Sequence, residues 1–444
     1  MLAAHDPVET LQSLLGRITQ ARRTTDSLFD ILNDASLYER PIPERHRIVF
    51  YIGHLEAFDR NLLQGRLLSL PETSREFDRL FAFGIDPVGG GLPADQPSDW
   101  PAIETVRAYV QRVRGEIDEE LAGLTEGGAA GEGSADLLLN VAVEHRLMHA
   151  ETLSYMLHRL PYDRKNAPPG VPQLVSVPGP SEMAEIPRGP ATLGLSRNGA
   201  TFGWDNEFEQ QTVDVPEFAI DRYKVTNAEY LDFVDAGGYG DRRYWTGPAW
   251  QWKESQRISH PAFWEWKGGE WFWRGMFREI PLPADWPVYV SHAEASAFAR
   301  WSGKGLPTEA QWQRAAYGSP GSQARRYPWG AKPPDAARGN FDFAQWDPMP
   351  VSAHPAGVSA FGVEDILGNG WEWTATEFGP FAGFQPFPFY PGYSADFFDG
   401  QHYVLKGASA RTAACMLRPS FRNWFQPHYQ YVYAGFRCVS RPPA

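Results

Sequence analysis

The sequence predicts an all-helical bundle followed by an α+β domain, and three observations carry that expectation. Up to about residue 165, apolar side chains recur at three- and four-residue spacing. A Pro-rich stretch, NAPPGVPQLVSVPGPSEM, then interrupts the pattern as an extended connection. Beyond it the helical period fades, and short strands, turns and clustered Trp and Gly take over, as in TFGWDNEF, GGEWFWRGM and YPWGAKPP. The expected division is a bundle over 1–165, a linker over 166–185 and an α+β domain over 186–444.

Each element follows from its local pattern. LQSLLGRITQARRTTDSLFDIL reads as a first amphipathic helix, and Arg45 to Leu68 as a second. WPAIETVRAYVQRVRGEIDEELAGL reads as a third, with Ser98 or Asp99 as N-cap and Pro101 in the first turn. Asp136 to Arg159 is a fourth, preceded by EGGAAGEGS, which is too Gly-rich to be helical. Four such helices are expected to pack as an antiparallel bundle. In the second domain two short helices stand out, one near Asn227 to Asp235 and one at Ser291 to Ser302. No internal repeat is present.

Composition narrows the function. The 444 residues carry a net charge of −13, which argues against nucleic acid as the main partner, since phosphate binding needs basic patches. The two cysteines, Cys415 and Cys438, build no disulfide framework and fit a reducing, cytoplasmic compartment. MLAAHDPVETLQSLLGR lacks the basic start and apolar core of a signal peptide. No apolar run approaches the roughly 18–20 residues that span a bilayer, so no membrane partner is expected.

The stretch NVAVEHRLMHAETLSYM is the chemical clue. His145 and His149 share one face of a helix, about 5–6 Å apart at Cβ, and can grip one metal ion. The same spacing also suits a surface pair. A third ligand must come from another helix, and His54 in FYIGHLEAFDRN is the best candidate, because a bundle core brings facing helices together. Three imidazoles would leave about half of an octahedral sphere open to substrate and O₂. Glu144 and Glu151 could accept the outer imidazole N–H groups, or form a solvated face. His46, His292 and His402 have no partner at ligand spacing and read as structural or surface residues.

Two resemblances meet on this chain. One histidine on a second helix with HxxxH on the last resembles a DinB-type metal bundle. DRYKVTNAEYLDF, VSHAEASAFARWSGKGLPTEAQWQRAA, YPWG, GNGWEWTAT, VLKGAS and AGFRCVS, in that order, resemble the formylglycine-generating-enzyme (sulfatase-modifying-factor) domain, a C-type-lectin-like α+β fold. The pairing, and the tail FFDGQHYVLKGASARTAACMLRPSFRNWFQPHYQYVYAGFRC, is similar to the ergothioneine-biosynthesis sulfoxide synthases. Those are mononuclear non-haem iron(II) enzymes that use O₂ to join a cysteine-type sulfur to the imidazole C2 of hercynine as a sulfoxide.

The resemblance implies that His54, His145 and His149 hold Fe(II) and that the second domain closes over the metal. It implies a proton-donating tyrosine in FYPGYSADFF: Tyr390, with Tyr393 as a substrate contact. A phenol with a pKa of about 10 is protonated at neutral pH and can donate. FRNWFQP places Asn423 and Trp424 where the family contacts hercynine, and an aromatic face suits a quaternary ammonium. Arg418 and Arg422 could clamp a substrate carboxylate, or be taken up in structural ion pairs. The likeness also allows a structural Ca²⁺ in the second domain, with no ligands placed, and is compatible with an oligomer.

The sequence departs from the branch that uses γ-glutamylcysteine. That branch has paired arginines in the loop after the first ligand helix, where LFAFGIDPVGGGLPADQPSDW has none after Arg79. Met148, Phe58 and Phe425 replace polar residues. These changes favour free cysteine as donor and leave open a related ovothiol- or selenoneine-type synthase. Composition alone cannot name the donor, because an apolar pocket discriminates by only ~1–3 kcal/mol per methylene. The copper-binding cysteine pair of the formylglycine-generating enzymes is missing: KGASARTAACMLRPS holds only Cys415, out of place for it. Two competing readings are a zinc-dependent thiol S-transferase, which generally lacks a fused second domain, and a ligand-binding protein with the bundle as scaffold.

Overall fold

The structure, a computed structural model, describes residues 10–71, 74–82, 93–124, 134–168, 182–199, 201–321 and 323–440. The glycine-rich EGGAAGEGS stretch up to Gly133, residues 83–92 of the loop after the first ligand helix, most of the Pro-rich linker and the first nine residues lie outside the described residues. The chain divides into two compact units, one up to Val171 together with Ala200–Phe202, the other formed by the remainder.

The first unit contains α1 (Leu11–Asp30), α2 (Ile48–Leu63), the short α3 (Arg75–Leu80), α4 (Ile103–Ala122) and α5 (Ala135–His158). The four long helices are those expected from the apolar period. Thr10 caps α1 by accepting from the Ser13 N–H at 3.2 Å, and Ser134 caps α5 by accepting from the Leu137 N–H at 3.3 Å. The expected cap of α4 differs. Ser98 and Asp99 sit in a preceding 3₁₀ turn, where Asp99 accepts from the Gln96 N–H, and Ala102 takes the N-cap position of the helix without a capping side chain.

The helix directions also differ from a simple antiparallel bundle. Arg17 of α1 reaches Asn140 near the start of α5, and Leu32 bridges Lys165 beyond the ends of both, so α1 and α5 run parallel. Glu56 meets Arg114 and Arg60 meets Glu116, so α2 and α4 run parallel as well. The pairs α2/α5 and α1/α4 are antiparallel, with Arg45 near Tyr155 and Glu56 near Arg146 in the first, Arg22 on Asp118 and Arg114 on Asp26 in the second. Two parallel neighbours joined in sequence need a long crossover, and residues 64–102 with α3 supply it.

Packing distinguishes the helices. α1 and α4 bury one stripe each, whereas α2 and α5 are buried on almost every face. That burial includes charges: Arg146 donates to Glu56 at 2.9 Å and to Asp59 at 2.6 Å, and the partly exposed Arg114 donates to the same buried Glu56 at 2.7 Å. Breaking such a buried pair costs about 3–5 kcal/mol, so this lattice holds the helices in one register.

The second unit is mixed α+β. Its strands are β1 (Met183–Ile186), β2 (Gly189–Leu193), β3 (Gln211–Val215), β4 (Phe218–Asp221), β5 (Trp264–Lys267), β6 (Glu270–Arg274), β7 (Glu279–Pro281), β8 (Gly370–Glu377), β9 (Tyr403–Ala408), β10 (Asn423–Phe425), β11 (Ala434–Gly435) and β12 (Val439–Ser440). They form sheets β1-β4-β12, β10-β9-β8-β11 and β5-β6-β7, and a β2-β3 hairpin. The helices α6 (Asn227–Asp235) and α8 (His292–Trp301) are the two expected. Two more, α7 (Gly247–Gln256) and α9 (Glu309–Tyr317), were not expected.

GNGWEWTAT, VLKGAS, NWF and AG all enter the four-stranded sheet. In the first motif Gly370 has φ 133°, and a Cβ there would lie 2.8 Å from the Tyr289 ring. Beneath the sheet, Glu372 is gripped by Arg437 at 2.7 and 2.8 Å, by Trp312 Nε1 at 2.8 Å and by Lys224 at 3.3 Å. No helix among the described residues is long and apolar enough to cross a membrane.

Candidate metal centre

The α2 and α5 helices are antiparallel neighbours, which puts His54 opposite His145 and His149. His54 Nε2 lies 3.2 Å from His149 Nε2, and His149 Nε2 lies 3.1 Å from His145 Nε2. These three are the only His, Cys, Asp and Glu cluster of metal-binding geometry among the described residues, and all three are buried. The expected trio is therefore brought together, with no carboxylate among its members.

The protonation states favour a cation. The Nδ1 of His54 is 2.6 Å from the Phe81 carbonyl oxygen. A carbonyl only accepts, so Nδ1 carries the proton and Nε2 offers its lone pair. Burial lowers the His54 pKa to about 4, partly offset by that carbonyl. Burial first, and the neighbouring imidazoles second, hold His145 well below its ordinary value; His149 is lowered likewise, by burial and then by His54. All three rings are thus neutral at pH 7, the form in which an imidazole nitrogen can bind a metal ion. Separations of 3.2 and 3.1 Å on either side of His149 Nε2 fit bonds of about 2.1 Å to a common ion.

The surroundings were only partly foreseen. Phe50 stacks on His54 at 4.8 Å between ring centroids, and Phe58 stacks on His145 at 3.3 Å. Glu144 and Glu151 are buried, not a solvated face. The outer nitrogen of His54 goes to a backbone carbonyl instead of a carboxylate, and the Nδ1 atoms of His145 and His149 find no hydrogen-bond partner among the described residues. His292 and His402 are structural: one meets the Thr374 carbonyl oxygen at 3.1 Å, the other Asp399 at 2.9 Å. His46 stacks on Phe50.

Sequence reading missed Phe81, and no sequence signal points to its backbone carbonyl. A Cβ on Gly53 would lie 2.5–2.6 Å from the Phe81 ring. Gly53→Ala is therefore expected to displace Phe81 and its carbonyl, and to weaken metal binding about 10–100-fold, as loss of an outer partner does. Titration of apoprotein against a competing chelator measures this; unchanged affinity would show that the carbonyl does not tune His54.

In the second unit, Tyr390 and Tyr393 lie 5.5 Å apart between ring centroids. Trp424 stacks on Phe378 at 4.2 Å and meets Tyr393 edge-on at 5.5 Å. Asn423 and Trp424 lie on β10, at the edge of the sheet. Arg418 and Arg422 are already gripped. Arg418 forks onto Glu207 at 2.8 and 2.5 Å, and Arg422 onto Glu309 at 3.0 and 3.2 Å. Their two-bond geometry is filled by protein carboxylates, so the structure favours ion pairing over the substrate clamp. Neither Cys415 nor Cys438 is in a disulfide, and Cys438 is buried.

Comparison with known proteins places this geometry. Residues 17–153 match the DinB superfamily, and residues 171–442 match the sulfatase-modifying factor enzyme 1-like domain. The chain is 34% identical to hercynine oxygenase of Mycolicibacterium smegmatis, over 96% of this chain and 98% of the relative. The chain belongs to the hercynine oxygenase family. Hercynine oxygenase of Mycolicibacterium thermoresistibile is 39% identical over 69% of each chain. The chain also matches formylglycine-generating enzyme of Mycobacterium tuberculosis, at 32% identity over 59% of this chain and 98% of that one. In this hercynine oxygenase family member, the buried imidazole trio accordingly reads as a non-haem iron site.

Proposed function

We propose that this chain is an iron(II)- and O₂-dependent sulfoxide synthase. It joins the sulfur of a cysteine-type donor to C2 of the hercynine imidazole, in ergothioneine biosynthesis. The C2–H and S–H bonds are broken, a C–S bond forms, and one oxygen atom stays on sulfur while the other leaves as water. The observation that carries this reading is the trio of buried, neutral, converging imidazoles in a chain matched along nearly its whole length to a hercynine oxygenase.

Held by His54, His145 and His149, iron(II) would supply redox chemistry with O₂ and open positions for two reactants. The chain's own residues do the rest. Phe81 fixes the His54 tautomer, and Phe50 and Phe58 keep water from two of the rings. The Trp424, Tyr393 and Phe397 rings form an aromatic cluster suited to a trimethylammonium group, with Asn423 beside it. On the family resemblance we assign proton donation to the Tyr390 hydroxyl and a substrate contact to Tyr393. The apolar residues Phe58, Met148 and Phe425 support free cysteine as donor over γ-glutamylcysteine. Two cysteines that form no disulfide fit a cytoplasmic setting. A structural Ca²⁺ is not assigned to the buried pair Asp365 and Glu372, because the Lys224 ammonium lies 3.3 Å from each.

The decisive experiment is oxygen uptake by iron-loaded enzyme with hercynine, supplied in turn with cysteine and γ-glutamylcysteine. Uptake with cysteine, and sulfoxide as product, is expected. Uptake with neither would point to another thiol or selenol donor, or to a zinc-dependent thiol transferase. Tyr390→Phe should keep its iron but divert turnover toward oxidation of the thiol alone. A wild-type product profile would remove Tyr390 as proton donor.

A further inference from the structure

The WDNE turn, Trp204 to Glu207, is entirely buried, yet it contributes only a short 3₁₀ turn to the fold. Its side chains reach two distant segments. The Trp204 ring stacks on Tyr393 at 4.0 Å. Asp205 accepts a hydrogen bond from the Ser394 hydroxyl, and Asn206 Nδ2 donates to that same hydroxyl oxygen at 3.0 Å. Glu207 takes Arg418 and also Ser420, at 2.6 Å. These two segments carry every second-unit residue given a role above.

We propose that this turn is a positioning element for the reaction, and that the Asp205–Ser394 hydrogen bond is the latch that seats the tyrosine loop. The loop is itself tightly wound: the Tyr390 N–H donates to the Phe387 carbonyl at 3.0 Å, and the Tyr393 N–H to the Tyr390 carbonyl at 3.2 Å. Anchoring Ser394 at one end, with Tyr393 stacked on Trp204, therefore fixes where the Tyr390 phenol lies. A carboxylate is an expensive way merely to fill space, since burying it without full pairing is unfavourable. Burial pushes the Asp205 carboxyl up to about 6, and the Ser394 hydroxyl holds it down from a higher value.

The inference rests on the proposed role of Tyr390, so Tyr390→Phe is run in parallel. Ser394→Ala and Asp205→Ala delete the donor and the acceptor; Asp205→Asn keeps an acceptor oxygen in place. Iron affinity is read by chelator competition, and the ratio of sulfoxide to sulfinic acid (thiol plus O₂) by product analysis with hercynine and cysteine. Both alanine variants should bind iron as wild type does. Their product ratio should fall roughly tenfold toward the sulfinic acid, as expected for one lost hydrogen bond at a positioned group. Asp205→Asn should recover most of that loss. A response to Tyr390→Phe combined with wild-type ratios in both alanine variants would overturn the latch alone. Wild-type ratios in Tyr390→Phe too would overturn the tyrosine assignment and the latch with it. Equal losses in Asp205→Asn and Asp205→Ala would also overturn it, since the acceptor oxygen would then not matter.

Discussion

His149→Ala is expected to lose both metal and turnover. His149 Nε2 is the central nitrogen, 3.2 Å from His54 and 3.1 Å from His145, so its removal leaves two donors that no longer share a third point. The loss of iron affinity should exceed the 10–100-fold that follows removal of an outer partner. Oxygen uptake with hercynine and cysteine should fall to background. The fold should survive, because α5 is held by apolar packing and the Arg146 pairs as well as by this ring. Circular dichroism and metal analysis on the same preparation separate the two effects. A variant with full iron and full turnover would dismiss the trio as the reaction centre.

Arg146→Met should have the largest effect on stability. Arg146 is buried, and it donates to Glu56, to Asp59 and, at 3.0 Å, to the Leu55 carbonyl. These bonds tie α5 to α2, one residue from His145 and two from His54. Without the guanidinium, Glu56 keeps Arg114, but Asp59, whose carboxyl burial already pushes up, loses the cation that opposes that push. A broken buried pair costs about 3–5 kcal/mol, which denaturant melts of the variant would measure. Iron affinity should fall with it, because the facing helices lose their common register. Removing the stranded acid as well, in Arg146→Met with Asp59→Leu, should recover much of the stability. If the single variant were as stable as wild type, the ion lattice would not be what aligns the ligand helices.

The helices were legible because amphipathic period is a local property. The i, i+4 pair His145 and His149 was legible for the same reason, since any helix puts them on one face. His54 was reachable by its apolar helical context together with the family likeness. Other features left no mark of this kind. The Phe81 carbonyl is a backbone atom, 27 residues from His54, and any residue could have supplied it. The carboxylate partners of Arg418 and Arg422 lie 211 and 113 residues away, so the choice between substrate and structural pairing could not be made from spacing. α9 was hidden within a long family motif, although Thr308 and Gln311 form a reciprocal cap that marks its start.

By itself the sequence determined where the helices of the first unit lie, which family motifs build the second, and which three imidazoles were candidates for a metal. Those depend on interactions within a few residues or on recognisable residue patterns. Only the tertiary structure decided that α2 and α5 are antiparallel neighbours, that their three Nε2 atoms converge, and that buried arginines lock the two helices together. Convergence is a matter of ångströms between segments about 90 residues apart, and the long-range packing that sets it has no local signature.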